Sequence, residues 1–382
     1  PGNYSLRYHH ERSEKMSNPL RDIEALGQSI WLDNISRQIL DDGELKRLID
    51  EDGLSGVTSN PTIFEKAMAH SDRYDDAFRE QLGETSDVEE IFNQLAYKDI
   101  RDAADLLRAT WERTKGADGY VSFEVAASLA YDADGTIEAA KHHRAAIDRA
   151  NVLIKVPGTD PGVRAFEELT AIGLNVNVTL LFAVSRYEAI AEAYIRGLER
   201  RAESGDSLEF AASVASFFVS RVDSKVDAAL EGTGREDLRG KAAVANAKIA
   251  YASFQRIFSG PRWETLAAKG AHVQRPLWAS TSTKNPDYKD TLYVDDLIGP
   301  DTVNTMPDKT IDATRDHGTA KRTVDVDVEE AVQTMKEIEA AGVDVEDIVL
   351  HQLVDEGVES FAKSYQDLLD SIQKKASELA HA

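Results

Sequence analysis

The stretch Asn151–Asp160, NVLIKVPGTD, sets a lysine at the end of an otherwise apolar run. Val152, Leu153 and Ile154 precede Lys155, Val156 follows it, and Pro157-Gly158 closes the segment. A short β-branched run ended by turn residues reads as a strand buried on both faces, the kind found in parallel sheets. Lysine is among the residues least often fully buried. A lysine at this place therefore needs a partner or a chemical task.

Working outward, similar runs recur along the chain: SIWLD, LSGVTSN, YVSFEV, LNVNVTLLF, FAASVASFFVSR, VQRPLWAST and, least strand-like, VNTMP. Amphipathic helical stretches separate most of them, among them DVEEIFNQLAYKDIRDAADLLRATWERT, DPGVRAFEELTAIG and SRYEAIAEAYIRGLERRAES. Eight strands alternating with helices predict an α/β fold, a (β/α)8 TIM barrel with additional helices and a helical C-terminal extension. The pattern by itself also admits an open doubly wound sheet. Residues 1–15, PGNYSLRYHHERSEK, read as a flexible tail or vector-derived remnant, and residues 16–382 as a single barrel domain without a Pro- or Ser-rich linker. The C-terminal helix has two readings, a cover for the barrel mouth or a dimer contact.

Composition narrows the function. The 382 residues are 42% hydrophobic, enough for one large core, and 68 acidic residues against 44 Lys and Arg leave a net charge of -24. Such a surface repels nucleic acid and anionic membranes but leaves room for a local basic pocket. There is no cysteine, which excludes disulfides, thiolate nucleophiles and cysteine-bound metals and points to the cytoplasm. No run approaches the roughly 18 apolar residues of a membrane span, and the first residues lack the apolar centre of a signal peptide.

In a parallel barrel, reactive side chains come from the C-terminal ends of several strands. Asp33 closes the first candidate strand, Asn60 the second, Glu124 the third and Lys155 the fourth. Asn177 and Thr179 lie in the fifth, Ser216 and Arg221 end the sixth, and Ser280 ends the seventh. Residues two apart share a strand face, so Asn175, Asn177 and Thr179 point one way, as do Ser122 and Glu124. Apolar surroundings disfavour the charged form of a lysine, and a neutral amine attacks a ketone to give a Schiff base. The iminium then stabilises the carbanion left by carbon–carbon cleavage, with Asp33 and Glu124 as acid–base groups. Asn60, Asn177 and Thr179 are suited to hold substrate hydroxyls and a water. Arg221, Ser216, Ser280 and Lys284 form a possible anion pocket.

Each residue also has a structural reading. Lys155 and Glu124 read equally as a buried ion pair, Asp33 as the cap of a helix beginning near Ile35, and Asn60, before Pro61, as a turn former. Asn177 and Thr179 could satisfy backbone groups, and Arg221 could make a surface ion pair. Other motifs are negative. GTDPG lacks the pattern of a phosphate loop and reads as a turn with Asp160 capping a helix. His142 and His143, adjacent on a helix, point apart and suit no metal site. Trp31 and Trp278 read as core.

Taken together, WLDNISR, GVTSNPTIF, SFEV, VLIKVPGT, NVNVTLLF and SFFVSRVD resemble the transaldolase family in identity, order and spacing. The resemblance runs from about Ile30 to Met306 and more loosely beyond, and PLWASTSTKNPDY and YVDDLIGPDTVNTMP look like its long bacterial branch. It implies a barrel without metal or cofactor that moves a dihydroxyacetone unit from sedoheptulose 7-phosphate to glyceraldehyde 3-phosphate; the sequence leaves monomer and homodimer both open. By the same resemblance Lys155 is the Schiff-base lysine and Asp33 the group that takes the hydroxyl proton. Glu124 works through a water held with Thr179, Asn60 and Asn177 contact substrate, and Ser216, Arg221 and Ser280 contact phosphate. One departure stands out. Relatives commonly carry an arginine two positions past the serine of WAS, where this chain has Ser282, and the nearest cation is Lys284. The rival readings are a fructose 6-phosphate aldolase, in which a tyrosine and a glutamine stand where this chain has Phe218 and Glu124, and a sugar-phosphate binder without chemistry.

Overall fold

Eight short segments pair in chain order and close on themselves: β1 (Gln28–Leu32), β2 (Gly56–Val57), β3 (Tyr120–Glu124), β4 (Val152–Pro157), β5 (Val176–Leu181), β6 (Ser213–Phe218), β7 (Gln274–Ala279) and β8 (Thr302–Met306). The computed structural model describes residues 18–69 and 71–380, and the expectation for residues 1–15 lies outside them. Every neighbouring pair is parallel, including β8 with β1, so the open sheet is excluded. All residues of β4, β5 and β6 are buried, as expected where helices cover the outside and side chains fill the inside.

Several local expectations change. VNTMP is a full strand, pairing with both β7 and β1. β2 shrinks to two residues, because Thr58, Ser59 and Asn60 turn away to start the helix Pro61–Ala69. Gly56 lies against the Trp31 indole, where a Cβ would come within 2.3 Å of the ring. β6 stops at Phe218, and Arg221 is carried on the helix Ser220–Leu230 rather than at a strand end. Lys155 is the fourth residue of the six-residue β4, not its last. Thr159, not Asp160, caps the helix Asp160–Ala171 through its hydroxyl. Ser36 caps the helix Arg37–Asp41, which leaves Asp33 free of the cap role.

Two backbone irregularities shape the mouth. Leu180 sits at φ +60°, where β5 slips register against β6 between Val178 and Leu181. Ser280, just past β7, sits at φ +56°. Left-handed conformations of non-glycine residues are uncommon and gather at functional sites. At the opposite end, Arg275 donates to Ser29 Oγ at 2.5 Å and to Thr302 O at 2.7 Å, while Trp31 Nε1 donates to Asp118 at 2.9 Å. This polar plug closes the barrel floor. Trp31 and Trp278 are fully buried, as expected.

The C-terminal helix, Leu353–Ala380, follows a π-type turn at Ile348–Gln352 and crosses the mouth of the barrel. Gly357 lets it approach: a Cβ there would be 2.9 Å from Leu180. Farther along, Ser364 accepts from Thr62 at 3.0 Å and Tyr365 donates to Glu89 at 2.8 Å, pinning the helix to the opposite side. No helix among the described residues is long and apolar enough to cross a membrane.

Candidate active site

A cavity of about 180 Å³ opens at the C-terminal mouth and is lined by Asp33, Asn60, Lys155, Thr179, Ser216, Arg221, Ser280 and Lys284 among others. Parallel pairing brings these residues together from distant parts of the chain. In the register of β3, β4 and β5, Glu124 lies beside Lys155, and Lys155 beside Asn177. Lys155 Nζ donates to Glu124 Oε2 at 2.9 Å and to the Ser59 carbonyl at 3.0 Å. Both side chains of the pair are only 6% exposed. The surroundings of the amine are thus not simply apolar, since two oxygens hold it.

Burial pushes the Glu124 carboxyl above its ordinary value, and the Lys155 charge and hydrogen bond pull it back. Burial also raises Asp33, opposed by the Thr58 hydroxyl and the Lys155 charge. Thr58 donates to Asp33 at 2.7 Å, and its oxygen lies 2.6 Å from Thr305 Oγ1. Burial thus raises both carboxyls while the Lys155 charge opposes it in each, an arrangement suited to acid–base work around the amine.

Glu124 and Asn177 do not line the cavity. Glu124 stands behind the lysine, and Asn177 lies beneath the floor, donating to Ser122 at 3.1 Å and accepting from Ser216 at 2.7 Å. Asn60 has both expected roles: its side chain accepts from Ile63 N at 3.0 Å, and it faces the cavity. Thr179 Oγ1 is buried without a protein partner and faces the same space, so its hydrogen-bonding capacity is directed at what enters there. Asn175 points elsewhere, to Phe210 O and Ala212 N.

The rim is cationic. Arg221 makes no ion pair among the described residues and lies over the rings of Phe218 and Phe361, at 5.5 Å and 5.9 Å. Burial lowers its pKa. Lys284 donates to Ser282 at 2.8 Å, and its pKa is lowered by burial and then by the Arg221 charge. Two cations that repel one another across a partly desolvated cavity are relieved by a bound dianion. Ser280 Oγ, 2.8 Å from Ser220 Oγ, completes this side.

Sequence reasoning missed Thr58, the Ser59 carbonyl, Thr305 and Phe361. Thr58 and Thr305 are polar strand-end residues, the same signal that picked out the others. Ser59 acts through its backbone, and Phe361 arrives on a helix remote in sequence, so neither carries a local signal.

Fold and site together describe a (β/α)8 barrel with a buried lysine–carboxylate pair and a cationic rim at its C-terminal mouth. Comparison with known proteins narrows this: residues 30–372 match the family described as Transaldolase/Fructose-6-phosphate aldolase. A protein of Thiobacillus denitrificans named Transaldolase is 52% identical over 358 residues, covering 93% of this chain and 99% of that relative. Another of that name, from Trichodesmium erythraeum, is 45% identical over 376 residues, covering 95% and 99%. A third, from Mycolicibacterium paratuberculosis, is 47% identical over 364 residues, covering 94% and 97%. The chain belongs to the transaldolase/fructose-6-phosphate aldolase family.

Proposed function

We propose that this chain transfers a dihydroxyacetone unit from sedoheptulose 7-phosphate to glyceraldehyde 3-phosphate, giving erythrose 4-phosphate and fructose 6-phosphate. The observation that carries the reading is the buried contact of 2.9 Å between Lys155 Nζ and Glu124, with Asp33 in the cavity that the lysine faces.

Lys155 gives its proton to Glu124 and attacks the ketose carbonyl. Glu124, through a water held by Thr179, moves the protons that convert carbinolamine to Schiff base. Asp33 takes the proton of the hydroxyl next to the breaking bond, and the electron pair flows into the iminium. The aldehyde leaves, the acceptor enters, and Asp33 returns the proton to the new alkoxide. Water then releases the product ketose and frees the amine. Asn60 contacts substrate hydroxyls, and Asn177 fixes Ser216 from below. Arg221, Lys284, Ser216 and Ser280 hold the phosphate, with Lys284, beside Ser282, bearing the second charge. The chain works in the cytoplasm, where charged sugar phosphates are retained, as a monomer or homodimer.

Borohydride with fructose 6-phosphate tests this. Mass spectrometry should find a three-carbon adduct on Lys155, with loss of activity. An adduct on another lysine, or none, overturns the assignment.

A further inference from the structure

Besides Arg221 on the helix after β6, one wall of the cavity comes from outside the barrel strands and their following loops: Phe361, half-buried on the C-terminal helix. Its ring centre lies 6.0 Å from Lys155 Nζ and 5.9 Å from the Arg221 guanidinium carbon. It also meets the Phe218 ring at 6.5 Å. The helix that bears it is seated on the mouth. Gly357 sits against Leu180 with Arg221 alongside, Lys225 pairs with Glu356, and Tyr131 donates to Asp355 at 3.2 Å. The ring is therefore held in place above the space between the lysine and the phosphate-side cation.

Building on the proposed transfer reaction, the substrate chain must cross that space. Its carbonyl carbon is bonded to Lys155 and its phosphate lies at Arg221, so the carbon that breaks and forms the bond lies between them, under the ring. After the first aldehyde leaves, this carbon is the nucleophilic end of an enamine. Two fates compete. It can add to the carbonyl carbon of an acceptor, whose oxygen takes a proton while the iminium re-forms. Or it can take a proton from solvent; water then adds to the iminium carbon and the C–N bond breaks. That path yields free dihydroxyacetone and the Lys155 amine, with the oxygen of water retained in the ketone.

We propose that Phe361 is a positioning residue that roofs the nucleophilic carbon, keeps solvent from protonating it while the acceptor site is empty, and so commits the intermediate to transfer. An apolar roof suits this task, since excluding water suppresses proton leakage from a reactive intermediate without donating a proton itself.

The test uses the full chain with fructose 6-phosphate as donor and erythrose 4-phosphate as acceptor, measuring free dihydroxyacetone against sedoheptulose 7-phosphate. In Phe361→Ala the ratio should rise about tenfold, equivalent to about 1.4 kcal/mol between the two barriers. In D2O the released dihydroxyacetone should carry deuterium. Phe361→Leu, which keeps an apolar cover, should restore most of the parent ratio and guards against a misfolded alanine variant. An unchanged ratio in a folded Phe361→Ala, with the Lys155 adduct still trapped, overturns the roof while leaving the transfer reading intact. Failure of the parent itself to form the adduct overturns both.

Discussion

Lys155 illustrates how one residue takes its meaning from its contacts. On β4 it is buried, and its nitrogen meets Glu124 and a backbone carbonyl instead of a purely apolar wall. The ion-pair reading and the proposed nucleophile reading are compatible with one arrangement, because a base in direct contact can take the proton of a lysine amine. Asp33 is separable from this step. It touches Thr58, not the lysine, so Asp33→Asn should leave Schiff-base formation in place and block carbon–carbon cleavage. Borohydride with fructose 6-phosphate should then trap an intact six-carbon adduct on Lys155, and turnover should fall by about 10²–10⁴-fold. A three-carbon adduct at the parent rate would remove Asp33 from the cleavage step. On the other rim, Arg221→Ala should raise KM about 10–100-fold for phosphorylated donors, the loss of one charge-assisted contact. It should change handling of unphosphorylated fructose far less. Steady-state kinetics on the two donors decides, and equal effects would argue against a phosphate contact.

At the scale of elements, small switches in where a strand or helix ends relocate side chains. β6 ends at Phe218 and the next helix begins at Ser220, which swings Arg221 over the mouth. The left-handed Ser280 turns the chain after β7, and Ser282 and Lys284 follow it onto the rim. The loop after β4 shows how a cap is chosen. The hydroxyl of Thr159 accepts from Gly162 N at 3.1 Å, and a Cβ at Gly162 would collide with the Pro157 carbonyl at 1.9 Å. Thr159→Ala should therefore cost about 1 kcal/mol of stability, whereas Asp160→Ala, which removes an exposed first-turn carboxylate, should cost roughly 0.5 kcal/mol or less. Urea denaturation of the two variants measures the order, and the reverse order would return the cap to Asp160.

For the whole molecule, stability is coupled to pH through groups buried between layers. His143, on the helix Ala133–Ile147, lies 2.7 Å from the Tyr97 hydroxyl and edge-on to Phe123 of β3, joining two helices to the barrel wall. Burial, with a smaller contribution from His142, lowers its pKa from 6.5 to about 4. Between those values the unfolded chain binds a proton that the folded chain does not, so this contribution is present above pH 6.5 and is lost as pH falls toward 4. Asp99 and Asp223, raised by burial to about 6, act in the opposite sense, because there the fold holds the extra protons. The histidine is isolated by difference. Relative to His143→Gln, the parent should lose on the order of 3 kcal/mol as pH is lowered through this window. Chemical denaturation at stepped pH measures it, and parallel curves would show that His143 does not titrate with unfolding.

What the sequence determined alone is what local chemistry controls. Alternation of apolar runs with amphipathic helices is enough for a parallel α/β fold, because strand and helix periods and turn residues are written in short windows. Closure into a barrel rather than an open sheet came from the pairing of β8 with β1. The strand-borne lysine and the polar strand ends could be read in the same way, and with them most of the cavity lining. Which of these residues touch was decided by tertiary structure. Barrel closure set Glu124 beside Lys155 and dropped Asn177 below the floor, since strand register depends on packing around the whole ring. The crossing of the last helix brought Phe361 over a lysine far earlier in the chain. No local pattern encodes that contact, because it depends on how one helix face fits a surface built by the rest of the fold.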